Sequence, residues 1–360
     1  MTLKTKALFF MVLLICLMLT ISSCQNLRER SGRTENIKEL GVKTSSHSFV
    51  ITKAGEFQVA DPKIPLKWLS RLECFDDGSF VAADVKAGVL RRFRGDGEFL
   101  GYLTPKEFPE NRWAPEWTAT DPDGRLLVCD HAGRIWGFGQ RFSPLGMINQ
   151  LPGPLSGLPI YAGLDGRIYF AGLYRDRIFT LHLLGSNAVK KSFLESDDND
   201  RFLDNACSQP WVAVHPDGTL YAIRMLENTL FKFSSDGRGI LSWKVNAGKH
   251  YRAFERLVNI FAQTRDRSLV KEWERTFSMF AGLRLLQNGK FILVFVRNAP
   301  PDLKNTVSLY TSDGEFLGTQ DVEGYLVGSD RTNCLYFSNQ DRFFEGECLI
   351  SKYCFEVRLP

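Results

Sequence analysis

The sequence predicts an all-β fold built from a repeated four-stranded unit. Short runs rich in β-forming residues are separated by Asp-Gly or Asn-Gly turns, which is typical of antiparallel hairpins. Turn glycines of this kind recur at Gly78, Gly124, Gly166, Gly218 and Gly289. They are spaced 46, 42, 52 and 71 residues apart. The first three intervals lie near the period of about 40 to 50 residues expected for one blade of a β-propeller.

The clearest copy of the unit covers residues 211–245. An apolar run beginning at Trp211 leads into the turn at Gly218. The next three strands are predicted over residues 219–223, 229–233 and 239–245. Gly237 follows Gly218 after 19 residues, where the turn between the third and fourth strands is expected. The same offset of 19 residues recurs in two other units, at Gly78 with Gly97 and at Gly166 with Gly185.

A sixth unit is degenerate and lies at the end of the chain. Its strands are predicted over residues 325–327, 335–337 and 348–357, with residues 330–333 as its first turn. Residues 48–60 look like the outer end of a blade without its beginning, because residues 55–57 repeat a Gly-Glu-Phe found in two other units. This segment is therefore predicted to complete the last blade, which closes the ring and removes an exposed sheet edge. The predicted architecture is a six-bladed β-propeller.

The repeated units resemble the six-bladed β-propellers of the NHL and TolB-like type. The segments that carry the resemblance are DDGSFVAAD, DPDGRLLVCD, LDGRIYFAG, HPDGTLYAI and QNGKFILVF. The resemblance covers roughly residues 48–360 and implies the architecture. It implies no single function, since such propellers include lactonases, lyases, protein-binding scaffolds and sensors.

The longest interval between turn glycines contains a segment with helical periodicity. Apolar residues recur three and four positions apart at Phe254, Leu257, Val258 and Phe261, and again at Leu269, Val270, Trp273 and Phe277. Residues 250–278 are therefore predicted to form a small helical insertion between blades four and five. Its charged face is expected to be solvated, and a lid or a partner-docking element is the alternative.

The N-terminus carries the features of a lipoprotein signal peptide over residues 1–23. Two lysines precede an apolar run over residues 7–20, which is too short for a comfortable membrane span. Ser22 and Ser23 directly precede Cys24, as in a bacterial lipobox, so Cys24 is the predicted lipidation site. The expected location is the cell envelope, lipid-anchored and extracytoplasmic, and by the same resemblance Gln25 favours the outer membrane. Residues 24–47 are polar and are predicted to be a flexible spacer.

Composition agrees with one large propeller domain and excludes some partners. The chain is 44% hydrophobic, which is enough for a substantial core. Its net charge of +4 is too small to indicate a nucleic-acid-binding protein. Six cysteines follow the lipidation site: Cys74, Cys129, Cys207, Cys334, Cys348 and Cys354. Disulfides and buried thiols are both open for them, since an oxidising compartment permits disulfides that a large core does not require.

Local motifs for catalysis or metal binding are weak. The five histidines, His47, His131, His182, His215 and His250, show no ligand spacing. The acidic run at residues 197–200 lacks the glycine and the terminal glutamate of a helix-loop-helix calcium site, so a solvated loop is favoured. No cofactor and no metal site are predicted, although ligands from different blades can converge without a sequence signature.

The most suggestive candidates for ligand binding are tryptophans. Trp68, Trp117 and Trp211 stand seven to ten residues before a turn glycine, and Trp113 is close to Trp117. Segments that enter the innermost strands surround one mouth of a propeller channel, so these indoles are candidates for stacking on a sugar or a peptide. The alternative is that they wedge between blades as part of the core. Charged residues that would add polar contacts at this mouth are Arg71, Arg112 and Glu116.

The sequence therefore favours a lipid-anchored envelope propeller that acts as a ligand-binding, protein-binding or scaffold module. Its expected partners are the membrane, through the lipid, and an envelope protein, a peptide or a glycan. The alternative is a metal-dependent hydrolase or lyase of the lactonase kind, with a site in the central channel. A purely structural envelope protein is a third possibility.

Overall fold

Six sheets, each built on four antiparallel strands, surround a common axis in the computed structural model, and each sheet is one blade of a β-propeller. This confirms the predicted all-β, six-bladed architecture. The structure describes residues 37–41, 43–44, 48–75, 77–105, 113–121, 123–152, 159–172, 179–186, 188–195, 210–252, 277–299, 304–330, 333–339 and 348–358.

The strands are numbered in chain order. Those before the first blade are β1 (Lys38–Leu40), β2 (Lys43–Thr44) and β3 (Ser48–Val59). Blades one and two contain β4 (Leu69–Cys74), β5 (Phe80–Asp84), β6 (Val89–Phe93), β7 (Phe99–Leu103), β8 (Pro115–Thr120), β9 (Leu126–Asp130), β10 (Arg134–Phe138) and β11 (Pro144–Gln150). Blades three and four contain β12 (Ile160–Ala162), β13 (Ile168–Ala171), β14 (Phe179–Leu184), β15 (Val189–Glu195), β16 (Trp211–Val214), β17 (Leu220–Ile223), β18 (Thr229–Phe233) and β19 (Gly239–Lys244). Blades five and six contain β20 (Met279–Leu286), β21 (Phe291–Arg297), β22 (Lys304–Thr311), β23 (Glu315–Glu323), β24 (Tyr325–Ser329), β25 (Cys334–Ser338) and β26 (Cys348–Arg358).

The ring closes through the N-terminal strand. The last three strands of the chain supply the inner part of blade six, and β3 pairs antiparallel with β26 as its outermost strand. The pairing runs from Val59 opposite Cys348 to Ser48 opposite Arg358. The prediction that residues 48–60 complete the last blade is therefore confirmed. The innermost strands β4, β8, β12, β16, β20 and β24 contact one another in turn around the axis.

Two short strands lie within the stretch predicted as a flexible spacer. β1 adds parallel to β19 on the outside of blade four, and β2 adds parallel to β23 on the outside of blade five. Ile37 packs against the apolar cluster between blades three and four, and Leu40 packs against the cluster between blades four and five. The structure differs from the prediction here because two apolar side chains in a polar segment find cover on exposed sheet edges.

The predicted turn glycines adopt the conformation for which glycine is needed. All five, from Gly78 to Gly289, have φ between +68° and +91°. In the degenerate sixth blade Asn333 takes this place with φ of +87°. Asparagine is one of the few residues with a side chain that tolerate this region, which explains how blade six turns without glycine.

The core is divided among the interfaces between blades. Among the described residues, buried apolar side chains form six clusters, and each cluster joins two neighbouring blades. Val59 and Phe80 belong to the cluster that joins blades six and one, for example. Each strand of a blade alternates its side chains between the two faces, so each blade contributes to two clusters. Loss of one blade would therefore expose two apolar surfaces.

The predicted helical insertion, residues 250–278, lies mostly outside the described residues, as do residues 1–36 with Cys24 and the acidic run at 197–200. Nothing in the described part of the chain forms a helix with the length and apolar character needed to cross a bilayer.

A fully buried ion cluster fixes the segment that connects β3 to blade one. The side chains of Arg91, Asp61 and Asp84 are 0% exposed. The Arg91 guanidinium donates to Asp61 Oδ2 at 2.8 Å and to Asp84 Oδ2 at 2.7 Å. It also donates to the carbonyl oxygen of Ile64 at 3.0 Å. The carboxylate of Asp84 accepts from the backbone N–H of Lys67 at 2.8 Å, so one cluster connects β6 to the chain before β4.

Asp61 is held as a carboxylate despite its burial. Burial acts to raise its pKa, but hydrogen bonds from Tyr102 and Arg91 and from the backbone N–H groups of Lys63 and Ile64 lower the pKa below its usual value. The Tyr102 hydroxyl donates to Asp61 Oδ2 at 2.7 Å. Burial and this bond raise the pKa of Tyr102 to about 12. At neutral pH Asp61 is therefore a carboxylate, and Tyr102 keeps its proton.

Cys334 and Cys354 face each other across β25 and β26. They are direct partners in the sheet, and the Phe355 N–H donates to the Asn333 carbonyl oxygen at 3.2 Å. This bond makes the cysteines a non-hydrogen-bonded pair, the kind in which opposing side chains are closest. Their sulfur atoms lie 3.9 Å apart. Small side-chain rotations would bring the sulfur atoms to bonding distance.

We expect oxidised glutathione to convert this pair into a disulfide, with two thiol hydrogens transferred to give reduced glutathione. The disulfide should stabilise the folded protein by about 3 kcal/mol, the value for a loop of this size. Peptide mapping under non-reducing conditions should recover the Cys334–Cys354 link, and the thermal midpoint should fall when dithiothreitol is added. Cys354→Ser should abolish both effects, whereas Cys129→Ser should preserve both. A wild-type thermal midpoint that dithiothreitol leaves unchanged would contradict the prediction.

Candidate functional site

Polar side chains from several blades meet in the central channel. Arg71 and Glu73 lie on β4 of blade one, Thr120 on β8 of blade two, Tyr161 on β12 of blade three and Arg284 on β20 of blade five. All of these strands are innermost, because each lies at one edge of its sheet and contacts the corresponding edge strands of the neighbouring blades. A few polar groups that converge in a concave space are typical of ligand-binding sites, so this set is a candidate binding site.

The carboxylate in this set is already engaged. Arg71 Nε lies 2.7 Å from Glu73 Oε1, with side chains 17% and 8% exposed. The Thr120 hydroxyl donates to Glu73 Oε2 at 3.0 Å. The Arg71 guanidinium carbon lies 6.0 Å from the centre of the Tyr161 ring. Blade one therefore reaches towards both blade two and blade three across the channel.

Arg284 is the most buried cation of the set. The residue is 7% exposed, and its Nη1 donates to the carbonyl oxygen of Leu283 at 2.9 Å. Burial, followed by repulsion from Arg71, lowers the pKa of Arg284 to about 9, and attraction by Glu73 offsets this only in part. No carboxylate oxygen in the described ranges lies within 4.0 Å of the Arg284 guanidinium, the distance that defines an ion pair.

Blade two also presents a buried hydroxyl group. Thr118 is 1% exposed and lies two positions before Thr120, so both side chains face the same side of β8. Thr118 Oγ1 has no hydrogen-bond partner among the residues that the structure describes. Buried polar groups are nearly always paired with protein, water or a ligand. This hydroxyl is therefore a buried polar group to which the described residues supply no hydrogen bond.

A cleft opens at the channel mouth where the innermost strands of blades one and two end. Its volume is about 400 Å³. The residues that line it are Cys74, Phe75, Asp77, Arg92, Thr120, Asp123, Gly124, Gly139, Arg141 and Phe142. Thr120 belongs both to this cleft and to the polar set in the channel. The cleft therefore leads towards the channel.

Aromatic and cationic surfaces meet in the cleft. The rings of Phe75 and Phe142 make an edge contact with centres 4.8 Å apart. The Arg92 guanidinium carbon lies 4.2 Å from the centre of the Phe142 ring, which is within the range of a cation–π contact. Asp77 lies 3.7 Å from Arg92 Nη2 and adds an acidic edge.

One wall of the cleft is the turn between β10 and β11, and its backbone is strained. Arg141 and Phe142 have φ of +62° and +61°, although neither is glycine. Such conformations cost about 1 kcal/mol or more per residue and are concentrated at functional sites. The Phe142 N–H donates to the Gly139 carbonyl oxygen at 3.0 Å, which holds the turn. The strained turn places the Phe142 ring between Phe75 and Arg92.

The four predicted tryptophans lie before or within innermost strands: Trp68 precedes β4, Trp113 precedes β8, Trp117 lies within β8, and Trp211 begins β16. Trp113 is 6% exposed and makes an edge contact with Trp136 in the cluster between blades one and two. Trp117 is half-buried against the cluster between blades two and three, and Trp211 against that between blades four and five. Trp68 is also half-buried. The structure thus places at least three of the four at separate blade interfaces, and their role in stacking stays a prediction.

The described histidines lie in or beside blades two, three and four. His182 is buried and contacts Ser192 Oγ at 2.8 Å and the Gly172 carbonyl oxygen at 2.9 Å. Across the described ranges, no three His, Cys, Asp or Glu side chains lie together as a group that would hold a metal ion.

Sequence reasoning named Arg71 as a neighbour of the site but missed Glu73, Arg92, Phe142 and Arg284. One usable signal was present, since Arg284 interrupts the apolar strand MFAGLRLL. A charged residue is almost never buried in such a strand unless its charge is paired. The position of Phe142 had no signal, because it depends on a positive φ in a segment without a turn glycine at that point.

Comparisons with known proteins address the fold. The sequence matches no protein-family model and no curated protein. A member of the DUF4221 family from Bacteroides vulgatus ATCC 8482 is similar in structure at 11% identity and a TM-score of 0.60, covering 88% of this chain and 100% of that one. A candidate exported protein from Bacteroides fragilis NCTC 9343 is similar at 11% identity and a TM-score of 0.58, covering 90% of this chain and 100% of that one. At these identities the likeness shows a shared fold, and function has to be argued from the site.

Proposed function

We propose that the protein is a ligand-binding propeller that is held on the outer side of a cell membrane by lipid attached to Cys24. The observation that supports binding is the cleft between blades one and two, where Arg92 and Phe142 form a cation–π pair beside the channel mouth. A flat aromatic face next to a cation suits a peptide or a glycan with an acidic group. The positive φ values of Arg141 and Phe142 support this proposal, because strained backbone is concentrated at ligand-binding and active sites.

The envelope location is supported by the N-terminal sequence. The apolar run at residues 7–20 and the Ser22-Ser23-Cys24 sequence have the lengths and small residues that lipoprotein processing requires. The exported status suggested for the Bacteroides fragilis neighbour is in keeping with this location. A metal-dependent hydrolase or lyase stays an alternative prediction, and elemental analysis of the purified protein tests it.

The proposal is tested by photo-cross-linking in cells that produce the whole chain. A photoreactive phenylalanine analogue at Arg141, which is exposed and lines the cleft, should give a defined adduct. The analogue at Arg94, which is exposed on a turn of blade one, is the control and should give none. Arg92→Ala should remove the adduct, and Cys24→Ser should move the protein from the membrane fraction to the soluble fraction. Equal labelling from both positions would overturn the binding function.

A further inference from the structure

The positive charge in the channel exceeds the negative charge that compensates it. Arg71 and Arg284 are two guanidinium groups, and Glu73 is the one carboxylate within the described part of this set. Glu73 is engaged by Arg71 at 2.7 Å and by Thr120 at 3.0 Å. One unit of positive charge is therefore left over at a position that water reaches poorly.

Arg284 carries this surplus charge. A guanidinium has five N–H donors, and the hydrogen bond of Arg284 within the described protein is the one to the Leu283 carbonyl oxygen. A buried cation is strongly unfavourable unless it is paired, and arginine cannot escape the cost by losing its proton at neutral pH. Arg71 lies near enough to repel it, which adds to the cost. A negatively charged group from outside the chain would remove both penalties.

The same channel shows what kind of anion fits. Arg71 already binds a carboxylate, that of Glu73, and a guanidinium is shaped to bind the two oxygens of a carboxylate side by side. One negative charge would balance the surplus. Thr118 adds a buried hydroxyl on blade two, and no described residue forms a hydrogen bond with it. The cleft gives a route, because Cys74 and Thr120 line it and also lie beside Glu73.

We propose that the central channel is a carboxylate-binding site in which Arg284, assisted by Arg71, binds the carboxylate of a small monoanionic molecule. The site lies deeper than the cleft and requires a different residue, so it does not depend on the ligand proposed for the cleft. Free organic acids and sugar acids both carry such a carboxylate, and the same guanidinium chemistry recognises both.

The test uses the full chain in detergent and sodium acetate as the probe. At constant ionic strength, acetate should bind by calorimetry and raise the thermal midpoint above that in sodium chloride. Arg284→Met should weaken acetate binding at least about tenfold, as expected for loss of a charge-assisted pair. Arg297→Met, on β21 of the same blade, and Arg92→Ala, in the cleft, should both retain acetate binding. Loss of binding in Arg92→Ala with retention in Arg284→Met would overturn the channel site and leave the cleft proposal intact.

A second measurement needs no ligand. Because Arg284 is buried without a carboxylate, Arg284→Met in chloride should have a thermal midpoint equal to or above that of the wild type. If Arg284→Met fails to fold while Arg297→Met folds, Arg284 is a structural residue and the proposal is overturned. Glucuronate compared with glucose then separates the two sources of the carboxylate, since glucuronate alone should bind if a sugar acid is accepted. Equal midpoints in acetate and chloride for the wild type would also overturn the proposal.

Discussion

Arg91→Met is expected to destabilise the propeller by at least about 3 to 5 kcal/mol, the cost of removing one partner from a buried ion pair. The variant leaves the carboxylates of Asp61 and Asp84 without their cation in a site where both side chains are 0% exposed. Domains of this kind are stable by about 5 to 15 kcal/mol, so the loss is a large share of the total. Denaturation by urea, followed by tryptophan fluorescence, measures it.

Two further variants make the result specific. Arg91→Lys should give an intermediate loss, because an ammonium group cannot hold both carboxylates and the Ile64 carbonyl oxygen in the geometry of a guanidinium. Arg94→Ala lies three residues away and removes exposed ion pairs to Asp96 and Glu98, so its urea midpoint should match the wild type. A wild-type midpoint for Arg91→Met would contradict the proposed role of the cluster.

Removing residues 1–59 is expected to abolish cooperative unfolding, because the ring then loses the strand that closes it. β3 supplies Phe49, Ile51 and Val59, which are 8%, 5% and 0% exposed. Burial of each such side chain contributes about 1.5 to 3 kcal/mol. The side chain of Gln320 in blade five also forms two hydrogen bonds with the backbone of Ile51. The Ile51 N–H donates to Gln320 Oε1 at 2.8 Å, and Gln320 Nε2 donates to the Ile51 carbonyl oxygen at 3.0 Å. The deletion would therefore expose β26 and loosen blade five.

The matched control removes residues 1–47 and keeps β3. This shorter deletion loses the edge strands β1 and β2 but leaves the ring closed, so it should still unfold in one transition at a lower urea concentration. Circular dichroism and size-exclusion chromatography distinguish the two deletions. If both deletion variants unfold at the same urea midpoint, closure of the ring by β3 does not govern stability.

The parts of the fold that the sequence predicts are those specified by local chemistry. The predicted strands at 229–233 and 348–357 agree with β18 and with β26 to within one residue, because turn residues and strand alternation act over a few positions. The closing strand was predictable from the repeated Gly-Glu-Phe. β1 was missed, since its place depends on a distant outer strand that offers a free edge to Ile37 and Leu40.

The channel site is harder to predict for the same reason. Arg71 and Arg284 are more than 200 positions apart in the chain and meet only because the blades form a ring. No spacing rule connects them. The aromatic candidates were predicted from their place before the innermost strands, and Trp211 is the first residue of β16. Whether an indole faces a ligand or a neighbouring blade depends on the packing of that blade.

If Cys24 is lipidated as proposed, force from the membrane would reach the propeller through the N-terminal segment, which lies on blades four, five and six. Ile37 is 13 residues after Cys24, so a tether at that cysteine would hold the rim of blade four within about 45 Å of the lipid. A pull along β1 would load its hydrogen bonds to β19 together, in shear, and β2 and β3 would take up the load only afterwards. Three blades in series would thus protect the ring closure against forces transmitted from the membrane.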